Sequence, residues 1–231
     1  MLVVSSINLT DGLKTVRPSE FLDSSSRGFI VNINNDYRYL KTGYYVSLHA
    51  EVLGNQVIPS SKNIIDTSRT PILLLRATKA GIDTLPFIVT DCVKKIISDI
   101  GLPVVLFAVN PFIYDGFEVA NNKSGLYRAM KSLGMNYKFD VCAMPLKGQM
   151  VTVKSFFGKC PDGDSEIQAI AEKVYALFKI PVCKLHIQKV DGKAYLNGLQ
   201  PVKQKELANG DLELISKEIM LFSQQGEHVG V

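Results

Sequence analysis

The pattern of hydrophobic and polar positions changes its period several times along the chain, and these changes predict an α/β protein. Residues 29–33 form a short apolar run rich in β-branched side chains, which is typical of a strand. From Leu40 to Val52, apolar residues recur at every fourth position, which indicates a helix, and Gly54 can end this helix with a left-handed cap. Gln56–Ile58 predicts the next strand. A strand, a helix and a strand within about 30 residues predict a Rossmann-like βαβ unit, whose strands must be parallel.

The second half of the chain combines strand patterns with helix patterns. Residues 104–109 are continuously apolar, as in a strand that is covered on both faces. Asp164 or Ser165 can cap an amphipathic helix that ends before Pro181. Beyond Pro181, apolar and polar residues alternate up to Asp191-Gly192, a two-residue turn that favours a hairpin. We therefore expect a parallel or mixed sheet with the βαβ unit at the N-terminus and an α+β portion containing the hairpin at the C-terminus.

The domain organisation is less marked in the sequence. A division near residue 84 would give a Rossmann-like region, residues 1–84, and an α+β region, residues 85–231. No segment has the Pro, Gly or Ser density of a flexible linker, so one continuous domain of residues 1–231 is the alternative.

Aromatic and basic residues are concentrated just after the first strand of the βαβ unit. In an open parallel sheet, ligands bind beyond the carboxyl ends of the strands, and the loop after Ile33 lies at such an end. This loop carries Tyr37-Arg38-Tyr39, and the helix opens with Gly43-Tyr44-Tyr45. The tyrosines could stack on a flat ligand while the arginine holds an anion. The alternative is that the tyrosines are rim residues of the core and Arg38 is a solvated charge.

Residues 28–69 carry a specific family resemblance. The positions that carry it are Asn32, Tyr37-Arg38-Tyr39, Gly43-Tyr44-Tyr45-Val46-Ser47-Leu48, Ala50-Glu51, Gly54, Val57, Pro59-Ser60, Ile65-Asp66 and Ser68-Arg69. Together they resemble the N-terminal domain that precedes RimK-like ATP-grasp ligases. The resemblance is weaker at residues 156–159 and 167–199, and little of it is visible between residues 70 and 155. It implies a partner domain for an ATP-dependent carboxylate–amine ligase.

The resemblance also suggests roles for individual residues. Arg38 and Arg69 would hold a carboxylate or a phosphate, since bidentate arginine contacts make such sites selective. Glu51, on the predicted helix, would be a buried partner for one of these arginines. The pocket would be shaped by four tyrosines: Tyr37, Tyr39, Tyr44 and Tyr45.

The features of a catalytic ATP-grasp site are missing from the sequence. Neither G-x-G-x-x-G nor G-x-x-x-x-G-K-[ST] occurs. An active ATP-grasp enzyme has a lysine after the first apolar strand and acidic and asparagine metal ligands on the last strand. Here Phe107 lies near the first position, and Asn197 has no carboxylate beside it at the second. We therefore expect a non-catalytic accessory or substrate-binding module. An atypical ATP-grasp-like ligase that binds ATP and magnesium is the alternative, and an oligomerising interaction scaffold that packs through helix 40–53 is a third.

Composition and charge indicate the cellular compartment and limit the classes of binding partner. The net charge of +4 is too small to indicate nucleic acid, and no apolar run is long enough to span a membrane. Four cysteines without a Cys-x-x-Cys pair predict reduced thiols in the cytoplasm, with Cys160 in a polar loop that could expose it. A special role for His49 stays open, as do the cofactor and the oligomeric state. The expected partners are a separately encoded ATP-grasp ligase or a small anionic ligand.

Overall fold

The N-terminal part of the protein is a parallel sheet with helices beside it. The computed structural model describes residues 1–9, 13–110 and 116–226, with side chains described through residue 224. The N-terminal sheet has the order β2-β1-β3-β4, and every strand pair in it is parallel. Its strands are β1 (Leu2–Ser5), β2 (Thr15–Val16), β3 (Phe29–Ile33) and β4 (Gln56–Ile58). The accompanying helices are α1 (Pro18–Leu22), α2 (Thr42–Val52), α3 (Ser61–Thr67) and α4 (Thr70–Lys79). The predicted βαβ unit, β3-α2-β4, is confirmed.

The alternation of side chains along the strands explains how this sheet is covered. Ile30 of β3 packs with Val46 and Ala50 of α2, whereas Val31 and Ile33 belong to the main hydrophobic cluster of the protein. Successive strand residues point to opposite faces, so each face of β3 is buried by a different layer. The apolar face of α2 is thus covered by its own chain.

The central part of the chain forms an antiparallel sheet of the order β5-β8-β6-β7. Its strands are β5 (Ile88–Thr90), β6 (Val104–Ala108), β7 (Phe117–Ala120) and β8 (Val141–Pro145), and its helices are α5 (Val93–Asp99) and α6 (Lys123–Leu133). Val104 and Leu106 pack with α5 and α6, while Val105 and Phe107 face the main cluster. The prediction that this apolar run forms a strand buried on both faces is confirmed.

The C-terminal part is a second antiparallel sheet, of the order β11-β10-β9. It contains β9 (Gln149–Phe156), α7 (Ser165–Phe178), β10 (Val182–Val190), β11 (Lys193–Gln200), a 3-10 helix (Gln204–Glu206) and α8 (Asn209–Gly226). Asp164 caps α7 by accepting a hydrogen bond from the Ile167 N–H at 3.0 Å. The hairpin turn has Asp191 at φ 49° and Gly192 at φ 80°, as a turn with two left-handed residues requires. Both elements were predicted.

The main hydrophobic cluster contains residues from all three sheets, including Val31, Val105 and Leu185. The Leu196 N–H donates to the Asp83 carbonyl at 2.9 Å, beside the predicted boundary near residue 84. The division into residues 1–84 and 85–231 stays a prediction. Within the described residues, no helix is both long enough and apolar enough to cross a lipid bilayer.

Candidate functional site

A cleft lies where the three sheets meet. Its volume is about 710 Å³ with the open mouth included, but the centre of a water molecule can reach only about 70 Å³ of it. The N-terminal part contributes Tyr37 and Arg38 after β3, with Thr67, Ser68 and Thr70 from the end of α3 to the start of α4. The central sheet contributes Phe107, and the C-terminal sheet contributes His186 and Gln200. The cleft therefore has one mostly apolar floor and a polar wall on its N-terminal side.

Tyr37 and Arg38 lie in this cleft, at the carboxyl end of β3 where the sequence places them. The Tyr37 hydroxyl donates to the Asn32 carbonyl at 2.9 Å and accepts from the Asn34 N–H at 2.9 Å. Burial raises the pKa of Tyr37 well above its ordinary value. Arg38 donates from Nε and Nη2 to the two carboxylate oxygens of Asp36, at 2.9 and 2.6 Å. Tyr37 therefore braces the loop, and Asp36 orients the guanidinium at the cleft.

The other three predicted tyrosine positions are not brought to the cleft as a group. Tyr39, Tyr44 and Tyr45 stack edge to face, with ring centroids 5.2 and 5.7 Å apart along the series. None of them is among the residues that line the cleft. Their contacts stabilise the start of α2.

Glu51 and Arg69 lie at two further places. Glu51 accepts the Ser61 N–H at 2.9 Å through Oε1 and the Ser61 hydroxyl through Oε2, so it holds the first turn of α3. This is a different partner from the arginine expected from the sequence. Arg69 lines a second groove, next to the cleft, together with Asn110 and Lys138.

His186 is a cleft residue that the sequence reasoning did not select. Its ring is 97 % buried, its Nδ1 lies 2.9 Å from the Thr152 hydroxyl in a hydrogen bond, and its Nε2 has no hydrogen-bond partner among the described residues. Burial and the nearby charge of Lys184 lower the pKa of His186 to about 4, although an interaction with the Gln200 side chain opposes this shift. The imidazole is therefore neutral at pH 7. The sequence signal that could have identified His186 is its position on the polar side of the hairpin, because this side faces the central sheet in the structure.

Side chains fill much of the space between the central and C-terminal sheets. A Cβ atom on Gly198 would lie 2.7 Å from Cε1 of Phe107, so the aromatic ring needs glycine at this point of β11. Gln188 is fully buried and binds the linker between β8 and β9. Its Oε1 accepts the N–H groups of Lys147 and Gly148 at 2.9 and 3.3 Å, and its Nε2 donates to the Pro145 carbonyl at 3.1 Å. The linker is thus held to β10 by one amide side chain.

Cys160 and His49 both make packing contacts or hydrogen bonds within the fold. Cys160 is buried, contrary to the exposure considered from its polar loop, and burial raises the pKa of its thiol to about 11. His49 Nε2 lies 3.0 Å from the Ser24 carbonyl in a hydrogen bond, and its ring packs edge-on against Phe21. Both side chains pack away from the cleft.

The chain resembles known proteins in its sequence family and in its fold. The model of the RimK-like ATPgrasp N-terminal domain matches residues 19–218, including residues 70–155, where the sequence resemblance was weak. The chain belongs to this family. No curated protein matches it at a significant level.

Solved ligase structures resemble the RimK-like chain over almost its whole length. The RimK domain protein ATP-grasp from Sphaerobacter thermophilus is 13 % identical with a TM-score of 0.64, and the similarity covers 94 % of this chain and 98 % of that one. D-alanine–D-alanine ligase from Bacillus anthracis is 13 % identical with a TM-score of 0.66, covering 98 % and 99 % of the two chains. The same ligase complexed with ATP gives a TM-score of 0.63 at 13 % identity, with 98 % of both chains covered.

This likeness corrects the function predicted from the sequence. The RimK-like chain has the fold of ATP-grasp ligases through all three sheets, so the prediction of a non-catalytic accessory module that lacks this fold is wrong. The error arose because the prediction rested on catalytic motifs, whereas the ligase fold extends through residues 70–155, where the sequence shows little of the family.

A magnesium site of the usual kind does not fit the described part of the RimK-like chain. Magnesium prefers carboxylate oxygens and bound waters. The cleft lining contains no Asp or Glu, and the described residues contain no group of three or more His, Cys, Asp or Glu side chains placed to hold a metal. Phe107 packs on Gly198, and Asn197 Nδ2 lies 2.9 Å from the Met144 sulfur.

Proposed function

We propose that the protein is an atypical ATP-grasp-type ligase that uses ATP to join a carboxylate to an amine, with the reacting acid and amine groups meeting at the cleft between the three sheets. The observation that carries this proposal is the likeness to D-alanine–D-alanine ligase over 98 % of the chain, including the form complexed with ATP. At 13 % identity the likeness is one of fold.

The polar wall of the cleft suits an acid substrate. Arg38 is oriented by Asp36 and lines the cleft together with Thr67, Ser68 and Thr70. A guanidinium favours a carboxylate or a phosphate over an uncharged group. The small anionic ligand expected from the sequence is thus retained here as the acid substrate.

The apolar floor suits an activated intermediate. In a ligase of this class, ATP phosphorylates the carboxylate, and the amine nitrogen then attacks the acyl carbon and releases phosphate. A reactive acyl phosphate survives where water is excluded. Phe107, Leu199 and Val182 provide such a surface, and the volume that water can reach is small. We assign no step to a metal ion, because the described lining does not fit one.

We also propose that the protein is located in the cytoplasm. All four cysteines are free thiols, as a reducing compartment requires. Expression with a fluorescent fusion and fractionation would test this assignment.

The test of the function has two parts. Calorimetric titration of the full chain with ATP, in the presence of Mg²⁺ and in the presence of EDTA, should show binding. ADP release should then depend on a carboxylate and an amine, screened as mixtures of amino acids and short peptides.

Arg38→Ala should raise the KM for the acid about tenfold or more, as the loss of a charge-assisted contact predicts, whereas the exposed Arg27→Ala should not. A folded protein that binds no ATP and releases no ADP with any mixture would refute the proposal.

A further inference from the structure

The imidazole of His186 has an unused hydrogen-bonding atom at the floor of the cleft. His186 is 97 % buried, and although the Gln200 side chain interacts with its ring, Nε2 makes no hydrogen bond to a described residue. A buried polar atom without a partner costs free energy, so such atoms are rare in folded proteins. Since His186 lines the cleft, a bound ligand is the natural partner for Nε2.

The surroundings of His186 fix the ring and keep it uncharged. The Thr152 hydroxyl binds Nδ1 at 2.9 Å, and the rings of Phe117 and Phe107 lie 5.1 and 5.9 Å from the imidazole. Burial in this apolar setting lowers the pKa of His186 to about 4. When Nδ1–H donates to the Thr152 oxygen, Nε2 presents a lone pair to the cleft.

The charges near the cleft disfavour a cationic ligand. The described lining contains no carboxylate, and its one cation, Arg38, is paired with Asp36 at 2.6 Å. Lys184, two residues from His186 on the same strand, is paired with Glu206, which also accepts the Lys203 N–H at 2.8 Å. An ammonium group that entered the cleft would lose its water and find no carboxylate of the lining to replace it.

We propose that His186 binds the amine substrate in its uncharged form, with Nε2 accepting a hydrogen bond from the amine N–H. This inference rests on the proposed ligase function, because the amine is the nucleophile of that reaction. An ammonium ion has no lone pair with which to attack a carbonyl carbon, so a site that excludes it presents the amine ready to react. The ligand class is a compact amine with an apolar body, which the aromatic rings and the small water-accessible volume of about 70 Å³ favour. His186 acts in this as a binding residue.

The experiment uses aniline, which is uncharged at pH 7.5, and benzylamine, which is an ammonium ion at that pH. Each is titrated into the full chain without ATP and followed by calorimetry and by the ring ¹⁵N resonances of labelled histidine. We expect aniline to bind and to shift Nε2 of His186, and benzylamine to bind at least about tenfold more weakly, because its ammonium group would lose water without gaining a carboxylate partner in the lining.

Variants separate a ligand contact from a packing role. His186→Leu should weaken aniline binding about tenfold, whereas His186→Gln, which keeps a polar acceptor, should bind within about threefold of the native chain. His49→Leu is the matched control, because His49 binds the Ser24 carbonyl on another part of the protein, and it should leave aniline binding unchanged. Circular dichroism of each variant checks that it is folded.

Several results would overturn the inference. Unchanged aniline binding in His186→Leu would do so, as would equal binding of benzylamine, or no binding of either probe to the native chain. Phenol binding as tightly as aniline would remove the amine assignment. Because the titration contains no ATP, aniline binding without any ATP turnover would refute only the ligase function. Turnover whose amine KM is unaffected by His186→Leu would refute only the role of His186.

Discussion

The linker between the central and C-terminal sheets should depend on one buried amide. Gln188→Leu keeps a side chain of similar size on β10 but removes all three hydrogen bonds to the linker. The N–H groups of Lys147 and Gly148 and the Pro145 carbonyl would lose their partner. No other residue of β10 bridges to this linker in the described hydrogen bonds.

The expected loss follows from the three orphaned groups. Each buried backbone group left without a partner costs roughly 1–3 kcal/mol. The contact to Gly148 is long at 3.3 Å, and Lys147 is exposed, so water can replace a part of what is lost. Leucine also gains some transfer free energy in a buried site. We therefore expect the free energy of unfolding to fall by about 3 kcal/mol, a large share of a typical ~5–15 kcal/mol.

Urea denaturation followed by circular dichroism measures this change. The transition midpoint should fall while the slope stays the same, because the surface exposed on unfolding does not change. Gln149→Leu is the control, since Gln149 lies exposed at the start of β9, and it should change stability by less than about 0.5 kcal/mol. A loss below about 1 kcal/mol for Gln188→Leu, with an unchanged slope, would show that the linker is held by other contacts.

Three further predictions concern the cleft and the thiols. In the folded state the pKa of His186 is about 4, so between pH 6.5 and 4 the unfolded chain binds more protons and the protein loses stability as the pH falls. The loss due to this residue is about 3 kcal/mol. Urea denaturation at a series of pH values should show this loss in the native protein and not in His186→Gln. Gly198→Ala should destabilise the protein by about 1–3 kcal/mol by pressing on Phe107, and a double-mutant cycle with Phe107→Leu should recover part of this; strict additivity of the two losses would contradict the contact. Native protein should show one thiol that reacts rapidly with a disulfide reagent, the exposed Cys92, and Cys92→Ser should abolish that phase, whereas a rapid phase left in the variant would mean that Cys160 or another buried thiol is accessible.

Local structure was largely predictable because it depends on short-range periodicity. The β3-α2-β4 unit, the capped helix α7 and the hairpin of β10 and β11 each have a full period and a specific end signal in the sequence. The strands β5 and β7 were missed. They are three and four residues long, too short for an alternating pattern to distinguish them from loop. The equally short β4 was found because it lies between the helix-ending Gly54 and Pro59.

The candidate site was predictable only in part. Tyr37 and Arg38 were found because their loop follows a parallel strand, and that rule needs only local sequence. His186 was missed because the polar side of a hairpin ordinarily faces water, whereas here it faces the central sheet. Glu51 and Arg69 were grouped with Arg38 by their place in the family pattern, whereas in the structure Glu51 binds Ser61 and Arg69 lines a second groove.

The sequence by itself determined the helices, the longer strands, the turn residues and the family of the chain, because each of these depends on neighbouring residues or on a local succession of residue types. The tertiary structure decided that the chain has the fold of a ligase rather than that of one accessory domain. It also decided which polar face is buried and which side chains meet in the cleft. These properties depend on contacts between residues far apart in the chain, such as Phe107 with Gly198 and Gln188 with the linker at 145–148, and at 13 % identity no local pattern reports them.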